Sequence, residues 1–369
     1  MHSYFKVLAL AILSAGVFSC AKETSVDSKV YEDRIIDAYV EQTGMDKDPN
    51  WKKTATGLYV NTTKEGAGEK PTATDWIQVK YVGTTLQNDY FQTTDTATFE
   101  YLGYNLNYFH IVPDFLFMSG NMPQGFREAL YSMKEGGKVK LLIPSYLGFG
   151  AYGAIKFGQM PILPNAYVQA NSPVKYELEL VKVISKPLEY DSLLVQNYIK
   201  KNAGYTQIEK NNVFIKEIKK GSTAPDDTIG NGSTAYVHYA GFFLDNYCFD
   251  TNIDTVAKRF APYNPYTDAN DKADGDTLVV NMRANESDVV KGFDLALRNM
   301  TKGSIAEVVF TSSFGYGISG RQGGGGKPSI APYSPLRFFI IIDSVANPKK
   351  TEKTAYINSR LKQKYLRKN

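Results

Sequence analysis

Few residues in this chain are arranged for acid–base, nucleophilic or metal chemistry. The three histidines, His2, His110 and His238, share no metal-like spacing. No serine or cysteine triad is legible. The acidic segment 267–276 never completes a twelve-residue calcium loop with its distal glutamate. The glycine run 323–326 lacks the lysine–hydroxyl pair of a phosphate loop. What the chain offers instead is aromatic surface, with 26 Tyr and 20 Phe. Some of these rings stand beside polar groups: Phe249 precedes Asp250, and Tyr316 lies between Gly315 and Gly317. Taken singly they read as strand core, a turn residue and loop packing. Together they leave an apolar, ring-lined cavity as the chemical resource to look for.

Two short stretches position these residues. Phe126, Ala129, Leu130 and Met133 recur at helical spacing, and so do Phe293, Ala296, Leu297 and Met300. Gly136 and Gly303 follow, where a left-handed residue is expected. The two stretches lie 167 positions apart. Around each, the order of elements repeats. A helix at 30–43 corresponds to one at 190–200, strands at 57–66 and 76–86 correspond to 212–221 and 235–241, and a last strand at 172–184 corresponds to 334–345. Residues 46–53 read as a polar turn, and 93–120 and 252–287 as long aromatic-rich connections. Each unit is therefore an α+β fold, a twisted antiparallel sheet wrapped around one short helix.

Composition bounds the rest. A net charge of +4 is too small to argue for nucleic acid. The basic residues gather in a C-terminal tail, 347–369. Residues 1–19 read as a lipoprotein signal peptide, with an apolar run too short for a mature span. The sequence Val17-Phe18-Ser19-Cys20 resembles a lipobox, which makes Cys20 the lipidated first residue of the mature chain. The expectation is a cell-envelope protein held by a lipid anchor, with the outer membrane preferred. With Cys20 acylated, Cys248 has no intrachain disulfide partner.

The second unit carries Val237-His-Tyr239-Ala-Gly241, Phe249-Asp250, Val289-Val290-Lys-Gly-Phe293, Gly315-Tyr316-Gly317 and Ile330-Ala-Pro332-Tyr-Ser-Pro-Leu-Arg-Phe338 in order. Together these resemble the FKBP-type peptidyl-prolyl cis-trans isomerases. The resemblance covers about 205–346, and a more diverged copy covers 55–186. The implied organisation is residues 20–54 as lipidated cysteine, tether and first helix, two FKBP-like domains at 55–186 and 205–346, and a linker helix at 187–204.

The resemblance implies an aromatic cradle of Tyr239, Phe249, Phe293 and Phe338 in the second domain. Val289, Val290 and Ile330 would line its rim, and Asp250 and Tyr316 would be its polar groups. Phe293 stands where the family usually has tryptophan. In the first domain the matching positions are Tyr81, Phe91, Gln92, Met122, Pro123, Phe126, Phe149 and Tyr176. There Gln92 replaces the family's aspartate, Phe149 replaces its tyrosine, and Pro123 has no N–H to offer a substrate carbonyl. The expectation is isomerase or foldase activity on proline-containing segments of envelope proteins, in the second domain only. No cofactor or metal is called for. The rival reading makes both units non-enzymatic modules of an outer-membrane, secretion or motility assembly, and a third makes the chain a glycan-binding lipoprotein.

Overall fold

The computed structural model describes residues 28–153, 163, 166–260, 277–284, 288–323 and 328–348. Residues 1–19, expected to be a signal peptide, Cys20, residues 349–369 of the basic tail, the segment 267–276 and most of the glycine run lie outside the described residues.

The first unit runs α1 (Ser28–Thr43), β1 (Trp51–Lys53), β2 (Tyr59–Lys64), β3 (Trp76–Thr85), β4 (Tyr90–Thr93), α2 (Thr96–Tyr101), β5 (Asp114–Phe117), α3 (Gln124–Ser132), β6 (Lys138–Ile143) and β7 (Val174–Ile184). The second repeats it with α4 (Pro187–Lys201), β8 (Thr206–Glu209), β9 (Val213–Lys219), β10 (Thr234–Phe242), β11 (Cys248–Thr251), α5 (Asp254–Phe260), β12 (Leu278–Asn281), α6 (Lys291–Arg298), β13 (Ile305–Phe310) and β14 (Leu336–Ala346). The strand orders are β1-β2-β6-β7-β3-β4 and β8-β9-β13-β14-β10-β11, with β5 and β12 also paired to β3 and β10. All of these pairings are antiparallel.

Burial alternates along β3, where Ile77, Val79 and Tyr81 face the core. That period of two turns one sheet face onto the helix. The helices answer with their apolar stripe: Phe126, Ala129 and Leu130 are buried on α3, and Phe293, Ala296 and Leu297 on α6. Burying one such phenylalanine contributes about 1.5–3 kcal/mol. Gly136 and Gly303 do take left-handed backbones, with φ of 86° and 77°. They sit beyond the helix ends, in the turns entering β6 and β13. There the Gly136 N–H donates to Leu180 O and the Gly303 N–H to Ile342 O.

Two expectations need correction, and the long connections gain detail. Residues 46–53 are not all turn, because Trp51–Lys53 forms an edge strand on β2. The long aromatic-rich connections also hold elements of their own. Each holds a short helix and a strand, β5 or β12, too brief for any periodicity to show. The helix at 187–201 is more than a linker. Val195 packs on Phe214 and Val309, as Ile36 and Val40 of α1 pack on Tyr59 and Leu142. Glu32 accepts from the N–H and hydroxyl of Ser145, and Asp191 accepts from the same groups of Ser312 at 2.7 and 2.6 Å. Ser145 and Ser312 open the short 3-10 turns Ser145–Leu147 and Ser312–Phe314. The repeated unit is thus helix plus sheet, and each helix pins the turn that leads toward Phe149 or Tyr316.

Candidate active site

The second unit brings the expected residues to one end of α6. Phe338 on β14 is the hub. Its ring lies 5.2 Å from Phe293, 5.6 Å from Phe249 and 6.2 Å from Tyr239, with the first two contacts edge-on. Tyr239 on β10 meets Phe293 edge-on at 6.0 Å. These offset and perpendicular pairings are the favoured ones for aromatic quadrupoles. Gly241 explains itself here, since a Cβ would stand 2.7 Å from Phe249 and 2.8 Å from Phe338. The glycine of the Val-His-Tyr-Ala-Gly motif lets the backbone sit beneath two rings.

Phe249, Phe293, Phe338 and Ile330 are buried, whereas Tyr239, Val289, Val290 and Tyr316 remain half-exposed. Buried phenylalanines therefore floor this cluster, and Tyr239, Tyr316 and the two valines stand partly exposed at its edge. Val290 is the N-cap of α6, with φ −61° and ψ 147°. Its carbonyl accepts from Asp294, and its N–H meets no acceptor among the described residues. A free N–H at a helix start suits an incoming carbonyl. Asp250 is buried on β11, opposite Gly241. The Tyr316 ring lies under the Arg321 guanidinium at 5.3 Å.

Sequence reasoning missed several residues that shape this site. Asn252 accepts from the Tyr239 N–H at 2.7 Å and donates to Val237 O at 3.0 Å. The Thr251 hydroxyl donates to Tyr239 O at 2.7 Å. Both fix the strand that carries Tyr239. Phe310 stacks on Phe338 at 5.8 Å, and Phe243 packs on Phe249 at 5.0 Å. Asn252 had one signal, the polar residue Thr94 at the matching place, whose hydroxyl accepts from the Tyr81 N–H. Cys248 is buried, and burial pushes its thiol up to about 12, so it offers no nucleophile.

The first unit assembles the matching positions into a filled cluster. Phe126 lies 5.2 Å from Tyr176 and 5.8 Å from Tyr81, and Phe91 lies 5.6 Å from Tyr176 and 5.8 Å from Phe149. Tyr81, Phe91, Gln92, Met122, Phe126, Phe149 and Tyr176 are all buried, none more than 6% exposed. Leu163, also buried, donates its N–H to Phe91 O at 2.8 Å. Pro123 is the N-cap of α3, matching Val290.

The polar groups of this cluster have been rearranged. The Tyr176 hydroxyl donates to the Gln92 amide oxygen. The Tyr81 hydroxyl donates to Asp114 at 2.5 Å. Asp114 pairs with Val79 on β3, the register position that Leu278 takes beside Val237. The carboxyl has thus moved from β4 to β5. Burial pushes Asp114 up to about 6, against the lowering effect of the Tyr81 hydrogen bond, and burial holds Tyr81 and Tyr176 well above the usual phenol range.

The fold and the two cradles define the class. The profile of the FKBP-type peptidyl-prolyl cis-trans isomerases matches residues 67–181 and 226–342, more than half of the chain, and the chain belongs to that family. Among individual relatives, it is similar to the FKBP-type peptidyl-prolyl cis-trans isomerase FkpA of Escherichia coli strain K12, at 30% identity over 141 residues, 38% of this chain and 43% of that protein. FkpA of Aeromonas hydrophila is 31% identical over 140 residues, 37% of this chain and 41% of that one. The chain spans less than half the length of these relatives. Among solved structures, the three FKBP domains of wheat FKBP73 align over 80% of this chain and 97% of theirs, at 17% identity and a TM-score of 0.29. The Escherichia coli FkpA crystal structure aligns over 50% and 70%, at 23% identity and a TM-score of 0.30.

Proposed function

We propose that the second unit is a peptidyl-prolyl cis-trans isomerase and that the first has lost this activity. The observation that carries the reading is the contrast between the two cradles. One leaves Tyr239 and Tyr316 partly exposed, with the Val290 N–H at its edge. The other is filled by its own side chains, with Pro123 in place of that donor.

The reaction needs no proton transfer. An X–Pro amide loses resonance at its twisted midpoint, across a barrier of about 18–20 kcal/mol. The twisted amide has a less polar carbonyl and prefers an apolar surround, so a dry aromatic cradle favours it over the planar amide. The proline ring would lie on Phe293, between Tyr239, Phe249 and Phe338. The Val290 N–H would hold the carbonyl that follows the proline, and the Tyr316 hydroxyl would donate near the substrate carbonyl. Asp250 would order neighbouring polar groups, and Val289 and Ile330 would close the rim.

The sequence features of residues 1–20 support placing this activity on a lipid-anchored envelope protein, with unfolded envelope chains as clients. The rival reading, an interaction subunit without turnover, draws on the exposed rings Tyr101, Tyr152 and Tyr167 of the first unit. A protease-coupled prolyl isomerisation assay on the chain separates the two. Activity should vanish with Tyr316→Phe plus Asp250→Ala and survive Phe126→Leu. Folded wild-type protein with no rate above background would overturn the enzymatic reading.

A further inference from the structure

Among the described residues, two of the contacts between the units lie on loops that carry the second cradle. His110, from the connection before β5, stacks on Phe243 at 4.4 Å and 10° and lies 4.7 Å from Tyr247. Its Nε2 is 2.7 Å from Asp245 Oδ2. Phe243, Asp245 and Tyr247 form the turn between β10 and β11, and Phe243 packs in turn on Phe249. At the second place, Trp76 meets Tyr333 edge-on at 5.2 Å, with Phe115 stacked behind it at 5.0 Å. Tyr333 is three residues past Ile330, and its N–H donates to the carbonyl of Gly317, next to Tyr316. One contact thus backs the wall of Phe249 and Asp250, and the other backs the wall of Tyr316 and Ile330.

The duplication supplies an internal control. The turn after β3 has the same hydrogen bonds as the turn after β10, Thr85 N–H to Asp89 O and Phe243 N–H to Tyr247 O. Yet the first turn is polar, with Thr85, Gln87 and Asp89 where the second has Phe243, Asp245 and Tyr247. The residue matching Tyr333 is Asn171, and its N–H likewise donates to a glycine carbonyl, that of Gly150. Both take left-handed backbones, with φ of 57° and 54°. Among the described residues, five non-glycines have positive φ; four are asparagine and the fifth is Tyr333. Asparagine tolerates that conformation, whereas a bulky ring is out of place there. Asn171 is exposed and Tyr333 is half-buried against Trp76. The donor face differs in the same sense. Trp76 and Phe115 of the first sheet match Thr234 and Val279 of the second, and Val279 is exposed. These departures from the shared pattern fall where the other unit is met.

We propose that the first unit serves as a built-in seat for the second cradle. Trp76 and His110 are positioning residues that hold its two walls and so set how tightly it closes on a proline-containing peptide. This rests on the reading of the second cradle as a prolyl site. The filled first cradle fits the role, because a rigid body positions better than an open one.

The test uses the full chain carrying Trp51→Phe, so that Trp76 is the remaining tryptophan and reports its own contact with Tyr333. Tyr333→Asn installs the residue the first unit uses at that place and keeps the left-handed turn. With this variant, Trp76 emission should shift, and KM for a proline tetrapeptide should rise threefold or more with kcat within twofold of the parent. His110→Ala should raise KM in the same way without moving Trp76 emission. A chain that binds the tetrapeptide without turning it over would show the rise in Kd instead, read from the same emission. Unchanged KM or Kd in both variants overturns the seat. If the parent neither turns over nor binds the tetrapeptide, the prolyl reading has failed on its own. Trp76 emission then decides the contact, and an unmoved spectrum in Tyr333→Asn overturns it.

Discussion

Pro123 and Val290 cap the two buried helices from matching positions, and only Val290 carries an N–H. Both have extended backbones, with φ of −53° and −61°. Proline at 290 would therefore fit the existing φ while deleting the donor. We expect Val290→Pro to leave stability within about 1 kcal/mol, because that N–H has no acceptor among the described residues to lose. The isomerisation rate should fall about tenfold, the worth of one hydrogen bond to the substrate carbonyl. Full activity in a folded Val290→Pro chain would remove this donor from the mechanism.

Gly241 makes a second, sterically defined prediction. Alanine there would drive a methyl against the rings of Phe249 and Phe338, at 2.7 and 2.8 Å. Both rings are buried and hemmed in by Phe243, Phe293 and Phe310, so they cannot simply swing away. Gly241→Ala should cost about 1–3 kcal/mol in chemical denaturation and weaken peptide binding. Gly230→Ala, where a Cβ would meet nothing within 4 Å, should stay within about 0.5 kcal/mol. Equal effects at the two positions would mean that crowding of the cradle is not what Gly241 avoids.

Much of this was legible in the sequence, and for identifiable reasons. The helical spacing of Phe126 to Met133 and of Phe293 to Met300 encodes burial of one face, and the structure buries those residues. The aromatic floor was found through motif resemblance, since no spacing rule would join Tyr239 to Phe338 across 99 positions. What escaped were features set by register and by tertiary contact. Asp114 became Tyr81's partner through its pairing with Val79, which sequence separation hides. The strands β1, β5, β8 and β12 have three or four residues each, too few to show a period of two. Tyr333 looks like any loop aromatic until its backbone conformation is known.

The Tyr176–Gln92 bond gives a prediction about the first unit. Both side chains are buried, and each stands where the second unit has Phe338 or Asp250. The two exchanges satisfy one another, since the new hydroxyl found an amide oxygen. Tyr176→Phe and Gln92→Leu should each cost about 1–3 kcal/mol by leaving a buried polar group short of a partner. The double variant should cost less than their sum, with a coupling of at least about 0.5 kcal/mol. Strict additivity would show that the pair is not energetically joined.

Asp191 predicts a pH dependence with a definite sign. Burial pushes its carboxyl up to about 6, against the lowering effect of its bonds from Ser312. The folded chain therefore holds this proton more tightly than the unfolded chain, whose aspartates titrate near about 4. Stability from this group is greatest below about pH 4, is lost as pH rises toward about 6, and is flat above. The loss across that window is at most about 3 kcal/mol. Asp191→Asn keeps an oxygen to accept from Ser312 and has no charge to bury. Its denaturation free energy should fall less than the parent's between pH 4 and 7, so that the variant gains relative to the parent across that window. Asp114 shifts in the same direction, so Asp191→Asn keeps a residual slope that adding Asp114→Asn should reduce further. Parallel curves for parent and Asp191→Asn would mean that the helix–turn clamp carries no buried titration.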